Sequence, residues 1–130
     1  MKKIASAPRS LQKLSQTAFN ELFEEYCNSR LVVGSSVSLN VSHLDLRGLR
    51  IPFNIIYHGD FTGSNLTGVN FRNMDIGGLN FEAAIVAGPE LLEIESFRFA
   101  TVSAAWLPWL SCHDRFSEFA DLLTIVDDEV

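Results

Sequence analysis

Apolar residues in the middle of this chain recur every five positions, a period that belongs to neither an α-helix nor a flat β-strand. The stretch from Leu39 to Gly88 divides into ten units of five residues, and the third residue of every unit is apolar. These third positions are Val41, Leu46, Ile51, Ile56, Phe61, Leu66, Phe71, Ile76, Phe81 and Val86. A side chain that points inward once per unit requires the backbone to turn a corner in every unit.

The polar positions of the units support such corners. The second residue is Asn or Asp in seven units, departing at Arg50, Ile55 and Ile85, and the fifth is Gly in five. Glycine adopts positive φ without strain, and Asn or Asp can bond nearby backbone groups at a turn. Four such sides would close one turn of about twenty residues, and successive turns would stack at the ~4.8 Å spacing of β-strands. We therefore expect Val41, Phe61 and Phe81 to share one column.

These units resemble the pentapeptide-repeat family, whose pattern is Ala, Asp or Asn, Leu or Phe, and two variable residues. The first position departs from the usual Ala, beginning with Leu39, Leu44 and Leu49. The resemblance covers residues 39–88 and implies a right-handed, four-sided β-helix. We therefore expect a mainly β fold: a short right-handed quadrilateral β-helix, capped by an N-terminal and a C-terminal α-helix. Residues 1–38 and 89–130 would supply the caps of one globular domain.

The flanking segments have helical patterns. Ser10 is positioned to cap a helix that runs to about Ser29. Its apolar face would contain Leu11, Leu14, Ala18, Leu22 and Tyr26, with Phe19 and Phe23 beside them. Asp114 would open a second amphipathic helix, with Phe116, Phe119, Leu122, Leu123 and Val126 on its apolar side. Residues 89–96 predict a helical turn, and residues 97–110 predict either a further irregular coil or a packed loop.

The formal net charge of −6 is concentrated in the last third of the chain. Residues 89–130 contain nine acidic residues against two arginines, and the sequence contains no basic patch. Direct binding to nucleic acid is therefore disfavoured. We expect no membrane span and no signal peptide, because no apolar run is long enough. The cysteines Cys27 and Cys112 are then best read as reduced thiols of a cytoplasmic protein.

Only one cluster combines a nucleophile, a base and an acid: Cys112, His113 and Asp114. Adjacent residues do not generally face one another, so a hydrogen-bonded Cys–His pair is not expected. His43 and His58 have no further ligand at metal-binding spacing. We therefore expect a non-enzymatic protein without a metal or other cofactor.

Three groups of residues are candidates for contact with a partner. Phe53, Tyr57 and His58 would form an exposed apolar patch, unless a terminal segment covers it. Trp106 and Trp109 would form an aromatic contact, unless they cap the last turn of the coil. The acidic candidates are Glu90, Glu93, Glu95, Asp127, Asp128 and Glu129.

The resemblance implies two kinds of binding function. Some family members inhibit or protect DNA-acting enzymes, notably gyrase, by imitating duplex DNA, and others are bacterial effectors or targeting modules. We expect a protein-binding inhibitor or modulator of a DNA- or RNA-acting enzyme, acting through a rigid coil and the acidic C-terminal segment. The alternative is a scaffold that docks through the apolar patch. Some members dimerise through C-terminal elements, so a homodimer is a further option.

Overall fold

The structure is a computed structural model that describes residues 11–30, 38–51, 56 and 58–126. It contains three α-helices: α1 (Gln16–Arg30), α2 (Leu107–Leu110) and α3 (Phe116–Phe119). Turns of 3₁₀-helix cover Pro89–Glu93, Ala104–Trp106 and Ala120–Leu122. The strands are β1 (Gln12–Lys13), β2 (Leu39–Asn40), β3 (Leu44–Asp45), β4 (Gly59–Asp60), β5 (Asn80–Phe81), β6 (Thr101–Ser103) and β7 (Thr124–Val126).

All the strand pairs in the described part of the chain are parallel. Strands β2, β4, β5, β6 and β7 form a five-stranded sheet in that order, and β1 pairs with β3 in a two-stranded sheet. In the larger sheet each strand after β2 pairs with a strand that lies about twenty residues earlier in the sequence. Leu39 lies opposite Gly59, Asn80 opposite Thr101, and Thr101 opposite Thr124.

The predicted fold class is wrong. The described residues form a mixed α and β structure, with three helices and two parallel sheets, and no closed or solenoid β-helix is detected among them. The strands are only two or three residues long, whereas α1 has 15 residues. A five-residue period specifies which side chains are buried, but a sheet also needs a continuous ladder of backbone hydrogen bonds. Beyond these strand pairs, Asn65 is joined to Asp45 of β3 and to Ile85 only by isolated bridges.

The burial predicted for the third positions is confirmed at most of the described units. The fully buried members are Val41, Leu46, Ile56, Phe61, Leu66, Phe71, Ile76 and Phe81. Ile51 and Val86 are partly buried and pack against this core. The predicted column of Val41, Phe61 and Phe81 is also found, because β2, β4 and β5 are in register and the Phe61 and Phe81 rings stack with centroids 5.0 Å apart.

The corners occupy the fifth positions, where the backbone takes positive φ. Five of these corners are glycines: Gly48, Gly63, Gly68, Gly78 and Gly88. His43, Asn73 and Ala83 occupy equivalent positions, and Phe99 does so beyond the region of regular units. The predicted link between the fifth position and positive φ is therefore confirmed, including at residues other than glycine.

Helix α1 begins later than the sequence indicated. Ser10 lies outside the described residues, and the residue that caps the helix is Ser15, whose Oγ accepts a hydrogen bond from the Ala18 N–H at 3.0 Å. The preceding residues pair with β3 instead, and the Leu14 N–H donates to the Asp45 carbonyl at 3.1 Å. The helix buries Phe19, Phe23 and Tyr26 as its innermost side chains.

The second amphipathic helix is also shorter than expected. Helix α3 ends at Phe119, and after a 3₁₀ turn the backbone becomes extended at Leu123. Val126, predicted on the apolar side of this helix, lies instead in β7 opposite Ser103. Pairing with β6 therefore outweighs the helical pattern at the end of this segment. The helical turn predicted near Pro89 is confirmed.

Residues 97–110 form neither of the predicted alternatives as such, because they contain a strand followed by helical turns. Their middle part, β6, extends the sheet from β5, and Phe97 and Val102 are fully buried. Their last part leaves the sheet as a 3₁₀ turn followed by α2. This change of direction opens a groove beside residues 83–87.

Candidate protein-docking groove

The groove lies between the segment 83–87 and the segment 103–109, and has a volume of about 310 Å³. We call it the Trp109 groove. Most of the side chains that line it are apolar: Ala83, Ala84, Ile85, Val86, Ala87, Ser103, Ala105, Trp106 and Trp109. The recess exists because the alanine side chains are small, and the two tryptophans form its borders.

Trp106 is part of the core at the base of this groove. Its side chain is 2% exposed, and its ring centroid lies 5.1 Å from that of Phe81. The indole Nε1–H donates a hydrogen bond to the Ala84 carbonyl at 3.0 Å. Trp106 is therefore not the accessible partner contact that the sequence suggested, and agrees with the alternative that it covers the core.

Trp109 is accessible, with 38% of its surface exposed, and so is Ile85 with 48%. The Trp109 ring packs against Gly88 so closely that a Cβ atom added at Gly88 would lie 2.1 Å from the ring. Gly88 also has φ of 130°, a conformation that other residues rarely adopt. The glycine thus permits the close contact that holds the indole at the mouth of the groove.

Glu90 fixes the wall of the groove near Ala87. Its carboxylate accepts backbone N–H bonds from Gly68 at 2.9 Å, Ala87 at 3.0 Å and Gly88 at 2.6 Å. Partial burial alone would raise the pKa of Glu90, but these backbone N–H donors together lower it below the ordinary value of a glutamate. Glu90 is therefore a charged structural group whose oxygens are already engaged.

The other acidic candidates are only partly placed. Glu95 accepts a hydrogen bond from Arg115 at 2.9 Å, and Arg115 also pairs with Glu118 at 2.7 Å. Glu93 is exposed and lies 3.7 Å from Arg72. The last three acidic candidates lie outside the described residues: Asp127, Asp128 and Glu129.

The apolar patch proposed around Tyr57 cannot be assembled from the described residues, because Phe53 and Tyr57 both lie outside them. His58 is exposed, and its backbone N–H donates to the Tyr26 hydroxyl at 3.2 Å. His58 is therefore described alone among the three residues of this candidate site.

Cys112 and His113 have different partners. The His113 Nε2 lies 2.6 Å from the Ile94 carbonyl, and Nδ1 accepts from the Arg115 backbone N–H at 3.0 Å. The Cys112 thiol donates to the Pro108 carbonyl at 3.4 Å. The two side chains do not form the thiol–imidazole pair that cysteine catalysis needs. Across the described ranges, no group of three or more His, Cys, Asp or Glu residues could hold a metal ion.

Sequence reasoning missed four exposed apolar residues: Ile85, Leu92, Phe99 and Ile125. A signal existed for Ile85, because it stands where most units have Asn or Asp. Phe99 follows the break in the five-residue frame at Pro89, so its corner position was not recognised. It is 61% exposed and borders a second, more polar depression that contains Asp75, Ser96 and Arg98.

Comparison with known proteins gives no relative: no family model, curated protein or solved structure matches this chain. Within the described ranges, no helix is both long enough and apolar enough to cross a membrane. Any function must therefore be argued from the surfaces described above.

Proposed function

We propose that this chain is a non-enzymatic protein-binding module that docks a partner in the Trp109 groove. The observation that carries the proposal is the pairing of two exposed apolar side chains, Trp109 and Ile85, with an apolar cavity of about 310 Å³. Tryptophan is enriched in protein interfaces, and an anchor residue gains most when it closes a pocket. A partner side chain can enter the recess and pack against the exposed Trp109 ring at its border.

The walls of the groove are held by contacts that do not need a partner. Trp106 is bonded to Ala84, and Glu90 is bonded to Ala87 and Gly88. A site that is already ordered loses less conformational entropy when it binds. This preorganisation supports docking as a function of the groove and not only as a gap in the packing.

The acidic segment supports a second candidate, a modulator of a DNA- or RNA-acting enzyme. Residues 89–130 contain nine acidic residues and two arginines. Both arginines are engaged internally, because Arg98 and Arg115 lie over the Phe119 ring, 5.4 and 4.9 Å from its centroid. The segment therefore keeps a net negative charge that would attract a basic surface.

Groove docking is favoured over acidic mimicry as the main function. Glu90, Glu95 and Glu118 all have hydrogen-bonded partners within the chain. These three carboxylates are already hydrogen-bonded and are therefore less suited to a phosphate-like row, whereas the groove is open. A partner held mainly by apolar contacts in the groove should lose less affinity at high salt than one held by acidic mimicry.

Affinity capture with matched variants tests this proposal. Immobilised wild-type chain, Trp109→Ala and Leu92→Ala are each exposed to a bacterial lysate at low and at high salt. Leu92 is a suitable control because it is 41% exposed but does not line the groove. We expect a partner that is retained by the wild type and Leu92→Ala at both salt concentrations, and lost with Trp109→Ala.

Circular dichroism of each variant shows whether it is folded. A partner captured equally by Trp109→Ala would contradict groove docking. Loss of that partner at high salt from all three proteins would favour the acidic candidate instead.

A further inference from the structure

The segment that lines the groove is the last member of a short parallel ladder. The bridges join Asp45 to Asn65 and Asn65 to Ile85. At the first step, Leu46 N–H donates to the Asn65 carbonyl at 2.9 Å, and Asn65 N–H donates to the Leu44 carbonyl at 3.0 Å. The residues on either side of Asp45 thus supply one carbonyl and one N–H to the next segment.

The second step repeats this pattern. Leu66 N–H donates to the Ile85 carbonyl at 2.7 Å, and Ile85 N–H donates to the Ser64 carbonyl at 2.9 Å. If the pattern continued, a further strand beside Ile85 would donate a hydrogen bond to the Ala84 carbonyl and accept one from the Val86 N–H. None of the described residues fills this position, because residues 104–110 leave the sheet as helical turns.

One of these two backbone groups has a substitute partner. The Trp106 indole N–H donates to the Ala84 carbonyl and takes the place of a strand amide. The Val86 N–H has no hydrogen-bond partner among the described residues. Unpaired backbone N–H groups at the edge of a ladder are a template for another strand.

We propose that the Trp109 groove binds an extended segment of a partner protein, which lies beside residues 85–87 and accepts a hydrogen bond from the Val86 N–H, while the Ala84 carbonyl keeps its bond to Trp106. This inference rests on the proposed docking function and specifies how the partner is recognised. Strand addition combines main-chain hydrogen bonds with pockets for side chains. Here the pocket is the recess between Ala83, Ala105 and Trp109.

The charge around the groove identifies the chemistry of that segment. Glu82 precedes the lining residues and is exposed, while the Glu90 carboxylate is bonded to the N–H of the lining residue Ala87. Residues 82–126 contain seven acidic residues against Arg98 and Arg115, which are both engaged within the chain. The net negative charge of this part of the chain, together with the exposed Glu82 next to the lining residue Ala83, favours a bound segment with small apolar side chains flanked by Lys or Arg.

The probe for this inference is the blocked peptide Ac-Lys-Val-Ala-Val-Lys-NH₂, with Ac-Glu-Val-Ala-Val-Glu-NH₂ as its charge-reversed control. Each is titrated into isotope-labelled protein while amide resonances and amide hydrogen exchange are followed by NMR. At saturation with the lysine peptide, exchange of the Val86 amide should slow by about tenfold, because the amide acquires a hydrogen bond. The glutamate peptide should bind at least about fivefold more weakly.

Variants separate strand addition from simple filling of the groove. Trp109→Ala should weaken binding of the lysine peptide by about fivefold or more, whereas Leu92→Ala should leave it unchanged. Binding that leaves the Val86 amide unprotected would overturn strand addition, and so would no binding at millimolar peptide. A Val86 amide already protected in the dilute free protein would show that the chain fills the position itself, which also overturns the inference.

These outcomes remain distinct from failure of the proposed function. If a lysate partner is lost with Trp109→Ala while the Val86 amide stays unprotected in its complex, groove docking stands and strand addition fails. If no partner depends on Trp109, the docking proposal itself fails.

Discussion

Phe99 occupies a backbone conformation that large side chains usually avoid. Its φ is 65°, and its ring is 61% exposed, whereas Phe97 two positions earlier is fully buried. Non-glycine residues in the left-handed region cost about 1 kcal/mol or more. Because the ring is mostly exposed, its burial offsets little of the free-energy cost of the strained backbone.

Replacing these two phenylalanines should have very different effects on the free energy of unfolding. We expect Phe97→Ala to lower the free energy of unfolding by about 3–5 kcal/mol, because it leaves a cavity in the core. We expect Phe99→Gly to stay within about 1 kcal/mol of the wild type, because relief of strain offsets the lost contacts. Urea unfolding of both variants measures the difference. A loss above about 2 kcal/mol in Phe99→Gly would show that its ring is a packing residue.

The fold lowers the pKa of the Asp45 carboxyl group. Hydrogen bonds from the Arg47 side chain, at 2.9 and 2.8 Å, lower the pKa of Asp45 from 3.8 to about 2. Because the pKa is lower in the folded state, the ion pair contributes stability above pH 4, and this contribution is lost as pH falls towards 2.

The pH dependence of unfolding tests this contribution. Wild-type stability should fall between pH 4 and pH 2, and Asp45→Asn should show a smaller fall across the same range. Asp60→Asn serves as the control, since the Asp60 carboxylate accepts hydrogen bonds from Thr62 and forms no ion pair with any described residue. An equal slope in wild type and Asp45→Asn would exclude Asp45 as the source.

At the scale of elements, α1 is held to the rest of the molecule at its first turn. The Gln16 side chain donates to the Arg50 carbonyl and accepts from the Arg50 N–H, both at 2.8 Å. Ser15 caps the same turn through Ala18. The start of the helix is therefore fixed both locally and by a contact 34 residues away in sequence.

The cap can be tested by substitution. Ser15→Ala should lower the free energy of unfolding by about 1 kcal/mol, because the Ala18 N–H loses its acceptor. Thr17→Ala, an exposed change inside the same helix, should have no such cost, since alanine is the better helix former. Thermal unfolding monitored by circular dichroism compares them. Equal stabilities would assign the cap to another group.

The elements show what a periodic sequence specifies and what it does not. The five-residue period located the buried positions of the central segment, because inward side chains follow directly from local backbone turns. It did not determine the fold class, since hydrogen-bonded pairing and helix content depend on contacts between distant residues. Val126, for example, fits a helical pattern but pairs with Ser103 in a sheet.

The candidate site was predictable only in part. Trp109 stood out as an aromatic in an irregular segment, and it does border the groove. The sequence could not show that Trp106 would be buried instead, because that depends on its bond to Ala84, 22 residues away. The recess itself arises from alanines, which carry no chemical signal in the sequence.

For the whole molecule, the segment from Ala104 to Leu123 closes the end of the core. Trp106 packs on Phe81, and the Phe97 ring makes edge contacts with His113 and Phe119, at 5.0 and 4.9 Å between centroids. The segment therefore covers the aromatic side chains that the last strands would otherwise expose.

The contribution of this closure should be visible in global stability. Trp106→Phe keeps an aromatic ring but removes the indole N–H and the five-membered ring, and should lower the free energy of unfolding by about 1–3 kcal/mol because the Ala84 carbonyl loses its donor and the core loses volume. Trp109→Phe should stay within about 0.5 kcal/mol, because that indole is partly exposed. Denaturant titration distinguishes the two. Equal effects would mean that the hydrogen bond to Ala84 contributes nothing.

The regular spacing of strand pairs also sets an order in which the molecule can be built. Leu39 pairs with Gly59, Asn80 with Thr101 and Thr101 with Thr124, so every new strand of the large sheet finds its neighbour in chain that has already been made. A nascent chain leaving the ribosome can therefore add strands in sequence, without waiting for its C-terminus. The closing segment and β7 arrive last, and until then the growing edge of the sheet is the part most open to association with another chain.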